Sequence, residues 1–264
     1  MIQGCASGVG KSLITAALCH IFRTDGWRVA PFKAQNMGSE SFITPDGKEI
    51  CAVQASQAQA AGIAPSPDMN PIFQKPVTDT VAEVIVRGES IGTMTAKEYL
   101  HFKQARGKVI VAESLDQLRQ EFEVIILEGA GSPAEVNLRE HDLVNMTAAA
   151  LADAPVILVG DIDQGGVFAY IQGTMLLLTE EERVRVKGVL INKFRGDRAL
   201  LEPGLSMLEE RIARPILGVI PHINDISIPL AAETIRRSIS MEEIYRIVGL
   251  SPRTLAPNLG FECS

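Results

Sequence analysis

Apolar residues recur along the chain as short uninterrupted runs, separated by stretches with helical periodicity. The runs are rich in Val, Ile and Leu and lie at residues 27–32, 122–131, 154–163, 186–194 and 214–221. Strands that are buried on both faces of a parallel sheet have this pattern. Residues 11–26, just before the first of these runs, predict an amphipathic helix that Gly26 ends. Strands alternating with helices predict an α/β fold built on a doubly wound, mostly parallel sheet.

Two parts of the chain depart from this alternating pattern. Residues 38–105 are rich in Gln, Thr and Pro. We expect them to form an irregular insertion over the active face, beyond the carboxyl ends of the strands, where ligands of such sheets bind. Residues 231–264 carry helix-like pieces without identifiable chemistry. The pattern therefore predicts a principal domain over residues 1–230 and a helical tail or truncated linker over residues 231–264.

Composition narrows the class of protein. The chain has 264 residues, 46% of them hydrophobic, which is enough for a buried core. Its net charge of −7 and its lack of a long basic run argue against nucleic acid as a partner. The sequence contains no uninterrupted run of 18 apolar residues, so it predicts no membrane span. The cysteines are scattered without zinc-binding spacing, so we expect a cytoplasmic protein with reduced thiols; they are Cys5, Cys19, Cys51 and Cys263.

The strongest motif is "GCASGVGKSLI", which occupies residues 4–14 and opens the first predicted helix. Gly8 and Gly10 would let backbone N–H groups turn toward a phosphate, and the start of the helix adds its positive end. Lys11 could reach the β- and γ-phosphates, and Ser12 could bind Mg²⁺. The alternative is an ordinary glycine-rich turn between strand and helix. The predicted nucleotide-binding residues of this loop are Gly4, Ser7, Gly8, Val9, Gly10, Lys11, Ser12 and Leu13.

Charged residues follow two more of the predicted strands. Lys33 in "APFKAQNM" would point into the phosphate site and could stabilise charge on a transferring phosphoryl group. Glu128 in "VIILEGAG" lies at the tip of a buried strand, where a carboxylate could hold Mg²⁺ directly or through water. A surface lysine at a strand end and a loop glutamate beside a tight turn are the alternatives for these two residues.

Further polar residues follow the same strands or the next ones. Gln35 and Asn36 offer neutral hydrogen-bonding groups to a polar substrate, and Arg139 could bind a carboxylate with two hydrogen bonds. Asp161 and Asp163 could help to place Mg²⁺ or substrate, although a helix cap explains Asp163 equally well. Asn192 and Lys193 in "LINKFRGD" lie at the corner that binds the base in related nucleotide folds.

The loop departs by one residue from the common spacing, because Cys5 stands where the first glycine is expected and Gly4 precedes it. This variant resembles the dethiobiotin synthetase-like branch of phosphate-loop enzymes. The related partition and septum-site ATPases carry a signature lysine at the position of Ala6, which argues against a nucleotide switch.

Seven blocks of sequence in the same order resemble the cobyric acid synthase family. They are "QGCASGVGKS", "APFKAQNM", "AVQASQAQAAG", "DMNPIFQKP", "EGAGSPAEVNLREHDLVNM", "DIDQGGVFAYIQGT" and "VKGVLINKFRGD". The resemblance covers residues 2–221 and implies a dethiobiotin synthetase-like fold. It also implies ATP- and Mg²⁺-dependent amidation of corrinoid carboxylates in cobalamin synthesis, with cobyrinic acid diamide as substrate and ammonia taken from glutamine.

The resemblance also suggests roles for individual residues. Lys11, Lys33 and Glu128 would be catalytic, and Ser12 and Glu128 would hold Mg²⁺ while the carboxylate becomes an acyl phosphate. The residues expected to face the substrate are Gln35, Asn36, Asn137, Arg139 and Asp163. Members of the family usually have threonine where Cys5 stands, and we expect little effect of this difference, because either residue can offer its backbone N–H.

The family carries a glutamine amidotransferase domain after the synthetase domain, and residues 231–264 do not resemble its start. We therefore expect this chain to lack glutaminase activity and to receive ammonia from solution or from a separate domain or subunit. Whether it forms a homodimer stays open. Two other functions also stay open, a dethiobiotin synthetase-like ligase and a nucleotide-switch ATPase of the partition or septum type.

Overall fold

The apolar runs of the sequence form the central strands of the fold. The computed structural model describes residues 1–224, 227–251 and 253. Its strands are β1 (Ile2–Gly4), β2 (Val29–Phe32), β3 (Gln35–Met37), β4 (Ser41–Ile43), β5 (Glu49–Cys51), β6 (Ile72–Pro76), β7 (Val81–Val86), β8 (Glu89–Thr95), β9 (Val124–Leu127), β10 (Val156–Asp161), β11 (Val186–Phe194) and β12 (Ile216–Pro221). Every predicted strand is present, and each lies within its predicted range.

Helices connect these strands. They are α1 (Lys11–Thr24), α2 (Ala52–Ala60), α3 (Ala96–Phe102), α4 (Lys108–Glu121), α5 (Met146–Leu151), α6 (Val167–Leu177), α7 (Glu180–Arg185), α8 (Arg198–Ile212), α9 (Ile228–Ser238) and α10 (Met241–Ile247). A π-helical turn, Lys103–Gly107, joins α3 to α4, and 3₁₀ turns lie at Pro67–Met69 and Val136–His141. Helix α1 ends two residues before Gly26, whose φ of 83° lies in the left-handed region.

The central sheet is parallel throughout. Strands β1, β10, β11 and β12 pair in that order, and β2 pairs with β9. A parallel bridge between Ile2 and Glu128 connects the two groups. The spatial order is therefore β2-β9-β1-β10-β11-β12, with β1 inside the sheet and later strands on either side. This arrangement confirms the predicted doubly wound α/β fold.

Both faces of the sheet are buried. Alternate residues of a strand point to opposite faces, and both sets of residues belong to apolar clusters. In β10, Ile157 and Val159 pack on the side of α1 and α9, whereas Val156 and Leu158 pack on the side of α4, α6 and α8. Two apolar clusters therefore hold the sheet between helical layers, which explains why its strands are uninterrupted apolar runs.

Residues 38–105 are more regular than the sequence analysis predicts. Strand β3, which precedes them, pairs in parallel with β6, while β7 and β8 extend this second sheet in antiparallel fashion. Strands β4 and β5 form an antiparallel pair, and α2 follows β5 and packs against α1 and β2. Short strands and scattered polar residues concealed this regularity in the sequence. The segment carries α2 to the carboxyl ends of the central strands, as expected of an insertion over the active face.

The helix-like pieces expected after residue 230 include α9 and α10. The predicted boundary at residue 230 falls inside α9, which packs along α1. The described part of residues 231–251 thus belongs to the same core, while Cys263 lies outside the described residues. None of the described helices is long and apolar enough to cross a membrane.

Candidate functional site

The loop between β1 and α1 has the backbone geometry of a phosphate-binding turn. Gly8 and Gly10 have φ values of 72° and 98°, in the region that favours glycine. A Cβ on Gly10 would also lie 2.2 Å from Nδ2 of Asn192. Gly10 is the N-cap of α1, so the positive end of that helix faces the space above the loop.

Lys11 lies buried beneath this loop and connects it to the loop that follows β9. Its Nζ donates to the backbone oxygens of Ala6, at 2.9 Å, and Gly131, at 3.0 Å. Burial lowers the pKa of Lys11, an effect that the nearby Glu128 carboxylate opposes. The ammonium is therefore held between two loops by neutral acceptors, which an anion could replace.

Glu128 is the centre of the site and is 1% exposed. Its Oε1 accepts hydrogen bonds from Ser12 Oγ at 2.7 Å and from Lys33 Nζ at 2.9 Å. Its Oε2 accepts one from Gln57 Nε2 at 2.6 Å. A buried carboxylate requires such partners because it has lost its water.

The sheet explains why these side chains meet. Lys33 directly follows β2 and Glu128 directly follows β9, its pairing partner, so both side chains emerge at the same edge. The N–H of Glu128 donates to Phe32 O at 2.8 Å, and that of Lys33 to Met69 O at 2.8 Å. Asn70 Nδ2 donates to Lys33 O at 3.1 Å and fixes the lysine from the side of the second sheet.

Asn192 and Lys193 hold the phosphate loop from its other side. Asn192 Nδ2 donates to Val9 O at 2.8 Å, and Lys193 Nζ donates to Gly8 O at 2.8 Å. Lys193 also forms an ion pair with Asp161 at 2.6 Å. Both predicted base-binding residues thus lie beside the loop, and their contact with a base stays a prediction.

The expectation for Cys5 is wrong in one respect. Its backbone N–H donates to Val159 O at 2.9 Å as part of the pairing between β1 and β10. This N–H is therefore already used in the sheet and does not point at a phosphate. The anion-binding donors of the loop must follow Cys5.

A cavity of about 240 Å³ opens beside this cluster. The loop after β9 forms one wall, and Gly131, whose oxygen accepts from Lys11, belongs to both the cavity and the phosphate site. Gln35, Lys103 and Arg139 bring polar groups to the cavity from three other segments. Arg139 donates through Nη2 to Leu177 O, while its buried Nε has no hydrogen-bond partner among the described residues.

A family model described as "CobQ/CobB/MinD/ParA nucleotide binding domain" matches residues 1–234. The chain belongs to this family. It is 56% identical over 224 residues to a cobyric acid synthase of Clostridium acetobutylicum, a match that covers 85% of this chain and 45% of the relative. It is 57% identical over 222 residues to a cobyric acid synthase of Alkaliphilus metalliredigens, covering 84% and 44%. The chain thus spans slightly less than half the length of these relatives.

A solved structure with the same fold is the MinD cell division protein of Aquifex aeolicus. The TM-score is 0.50 with 12% sequence identity, and the match covers 95% of this chain and 96% of that one. At this identity the likeness supports the α/β fold and says nothing about activity.

The structure does not gather all of the residues predicted to face the substrate. Gln35 and Arg139 line the cavity, but Asn36 donates to Gln54 Oε1 at 2.7 Å and to Cys51 Sγ at 3.1 Å. Asn137 is exposed on a 3₁₀ turn. Asp163 is exposed, forms an ion pair with Arg195 at 3.2 Å and does not line the cavity. These placements differ because sequence order does not determine which way a loop side chain points.

Sequence reasoning missed three residues that shape the site. Gln57 bonds to Glu128, and Gln54 Nε2 in turn donates to Gln57 Oε1 at 3.3 Å. The signal was available, because two glutamines three residues apart lie on one face of an otherwise alanine-rich helix. Asn145 was also missed. Its side chain exchanges two hydrogen bonds with the backbone of Ala130, of 2.7 and 3.2 Å, and so fixes the loop after β9.

Proposed function

We propose that this chain is an ATP-dependent amide-forming domain that acts on carboxylate side chains of a corrinoid. The proposed conversion is that of (adenosyl)cobyrinic acid a,c-diamide to cobyric acid in cobalamin biosynthesis. One observation carries the proposal: the loop lysine, a second lysine and a buried glutamate converge beside a cavity that Lys103 and Arg139 help to line. The similarity to cobyric acid synthases over most of this chain supports the choice of substrate.

The chemistry begins with a carboxylate, which is a poor electrophile. A carboxylate oxygen of the corrinoid attacks the γ-phosphorus of ATP, the bond to the β-phosphate oxygen breaks, and ADP leaves. Ammonia then attacks the carbonyl carbon of the acyl phosphate, loses a proton and expels inorganic phosphate. The first step brings two anions together, so cationic groups at the meeting point lower its barrier. Lys11 and Lys33 are suited to that task by position.

Ser12 and Glu128 have the donor atoms that Mg²⁺ prefers. Their Oγ and Oε1 atoms are joined by a hydrogen bond of 2.7 Å, so the two oxygens lie together and would hold Mg²⁺ directly or through water. When bound, Mg²⁺ would neutralise phosphate charge during transfer. Lys33 shares Oε1 of Glu128 and would keep that carboxylate oriented.

The test is amide formation by the purified chain. With ATP, Mg²⁺, the corrinoid diamide and ammonium chloride, we expect amide, ADP and phosphate in equal amounts. Without ammonia, hydroxylamine should trap the acyl phosphate as a hydroxamate, and Glu128→Gln should suppress trapping and weaken the Mg²⁺ dependence. Amide formation from ammonia without any hydroxamate would contradict the activated-carboxylate route.

The same experiment separates the proposal from a nucleotide switch. The chain shares its fold with MinD, but Ala6 occupies the position of the signature lysine of switch ATPases. A nucleotide switch would be favoured if the corrinoid did not change ATP turnover and the chain dimerised when it bound nucleotide. Turnover stimulated by dethiobiotin precursors instead would favour the dethiobiotin synthetase-like alternative.

A further inference from the structure

Most of the lysines near the phosphate loop and the cavity have a carboxylate or a backbone oxygen of the protein as a partner, and one does not. Lys33 pairs with Glu128, Lys193 pairs with Asp161, and Lys11 donates to two backbone oxygens. Lys103 also lines the cavity, yet its ammonium has no hydrogen bond or ion pair within the described part of the chain. Its Nζ lies over the Tyr99 ring, 5.8 Å from the ring centroid.

An unusual local structure presents this lysine. Lys103 is the first residue of the π-helical turn between α3 and α4. Such turns are rare and often occur at functional sites, since the wider turn redirects a side chain at a cost in backbone geometry. Gly107 ends the turn against Leu143, where a Cβ would lie 2.8 Å from the leucine Cδ2. The last residue of the turn therefore packs against Leu143 of the cavity wall, and its first residue, Lys103, also lines the cavity.

The carboxylates of the cavity wall have partners of their own. Asp142 accepts hydrogen bonds from the backbone N–H groups of residues 144, 145 and 147, at 2.9 to 3.1 Å. Glu135 accepts from the N–H of Ser132 at 3.0 Å, and Glu182 from that of Thr179 at 2.8 Å. Burial lowers the pKa of Lys103, and the charge of Asp142 opposes this shift without direct contact. Asp142, Glu135 and Glu182 thus have backbone partners, and none of them forms an ion pair with Lys103, whose half-buried ammonium can therefore donate hydrogen bonds to a ligand.

We propose that Lys103 binds a non-reacting carboxylate of the substrate and so selects a polycarboxylate over a neutral ligand. The proposal rests on the proposed function, because a corrinoid that carries several carboxylates can place one at the Glu128 cluster and another at Lys103. Lys103 is then a specificity residue rather than a catalytic one. Arg139 on the opposite segment could bind the second oxygen of the same group or a further carboxylate.

The experiment measures binding of the corrinoid diamide by equilibrium dialysis, with a non-hydrolysable ATP analogue and Mg²⁺ present. Lys103→Gln should raise the dissociation constant about 10-fold or more, as expected for the loss of one charge-assisted hydrogen bond. Lys103→Arg should restore most of the affinity. The matched control is Lys97→Gln, which removes the same charge from an exposed position on α3. Lys97→Gln should have the same dissociation constant for the corrinoid diamide as the unchanged protein.

A second ligand distinguishes recognition of charge from a structural effect. The fully esterified corrinoid has the same ring but no carboxylates, so Lys103→Gln and the unchanged protein should bind it equally. The affinity of the unchanged protein for the acid should fall with salt more steeply than that of Lys103→Gln. Equal affinity of both proteins for the acid, or equal losses for acid and ester, would overturn the proposal.

Turnover separates this proposal from the proposed function. If the chain binds the corrinoid but forms no amide with ammonium, the proposed reaction is wrong. The dissociation constants of Lys103→Gln and the unchanged protein for the corrinoid then still test the role of Lys103. If amide forms, Lys103→Gln should raise KM for the corrinoid and leave KM for ATP unchanged. A chain that binds no corrinoid at all would overturn both.

Discussion

Glu128 shows how a single buried residue organises the site. The carboxylate is almost fully removed from solvent and accepts hydrogen bonds from a hydroxyl, an ammonium and an amide. These donors come from α1, the end of β2 and α2, so three elements must be in place before the charge is satisfied. Removing one donor leaves part of a buried charge unpaired, which is costly. The site is therefore coupled to the packing of the insertion.

Lys11→Ala is the direct test of the phosphate loop. The substitution removes a cation held between the phosphate loop and the loop after β9, and it should reduce ATP turnover by about 10²-fold or more. The fold should survive, because the ammonium contacts two backbone oxygens to which water can donate hydrogen bonds instead. Circular dichroism and the urea unfolding midpoint are the controls. Turnover close to normal in a folded Lys11→Ala protein would refute the assignment.

Gln57→Leu tests whether the amide on α2 orients the carboxylate. The change removes the donor at 2.6 Å from Glu128 Oε2 and keeps a side chain of similar size. We expect the Mg²⁺ concentration for half-maximal turnover to rise about 10-fold, the lower end of effects seen when groups that support metal ligands are removed. The nucleotide affinity without Mg²⁺ should stay the same.

Gln59→Leu is the matched control for this change, since Gln59 lies on the same helix and is exposed. It should leave the Mg²⁺ requirement unchanged. If the two variants behave alike, Gln57 has no special role at the carboxylate.

At the scale of elements, α9 is part of the core rather than an appendage. Ala232 and Ile235 are buried with residues of α1 in one apolar cluster. Helix α10 adds Tyr245, whose ring meets that of Phe22 edge to face with centroids 5.2 Å apart. Because α1 carries the phosphate loop at its start, the packing of α9 supports the element that positions Lys11.

Ile235→Ala should therefore lower the free energy of unfolding by about 2–5 kcal/mol, the range for truncation of a large buried aliphatic side chain. Urea denaturation of the purified chain measures the change. Leu230→Ala on the same helix is the control, because Leu230 is 46% exposed and its truncation should cost about 0.5 kcal/mol or less. Similar small losses for both variants would show that α9 does not pack on α1 in solution.

At the scale of the whole molecule, the proposed amidation requires a source of ammonia. Cys5, Cys19 and Cys51 are buried free thiols. Burial raises the pKa of Cys5 to about 12 and also raises that of Cys19 and Cys51. A thiol in this state carries almost no thiolate at neutral pH, so these cysteines are unsuited to attack glutamine.

The chain should accordingly use ammonium and not glutamine. Purified protein with ATP, Mg²⁺ and the corrinoid diamide should form amide when ammonium chloride is supplied and none when glutamine replaces it. Glutamate release is measured in the same reactions. Amide formed from glutamine with release of glutamate would reveal a glutaminase site, and would direct attention to Cys263 and its surroundings.

The sequence by itself determined the features that are local along the chain. Uninterrupted apolar runs predicted the central strands because burial on both faces leaves no room for alternation. The glycines and the lysine of the phosphate loop were recognised from the sequence, because the conformation of such a loop depends on a few consecutive residues. Lys33 and Glu128 were found because each directly follows a strand, and adjacent parallel strands end at one edge of the sheet.

Only the tertiary structure decided which distant groups meet. Gln57 reaches Glu128 across 71 positions of sequence, and Asn192 reaches Val9 across 183. Lys103 lines the cavity from the first position of a π-helical turn, and the helical periodicity of a sequence does not predict such a turn. Asn137 and Asp163 satisfied the chemical criteria of a site and yet lie outside the cavity. Side-chain chemistry is a property of one residue, whereas convergence depends on the packing of separate elements, which local sequence does not encode.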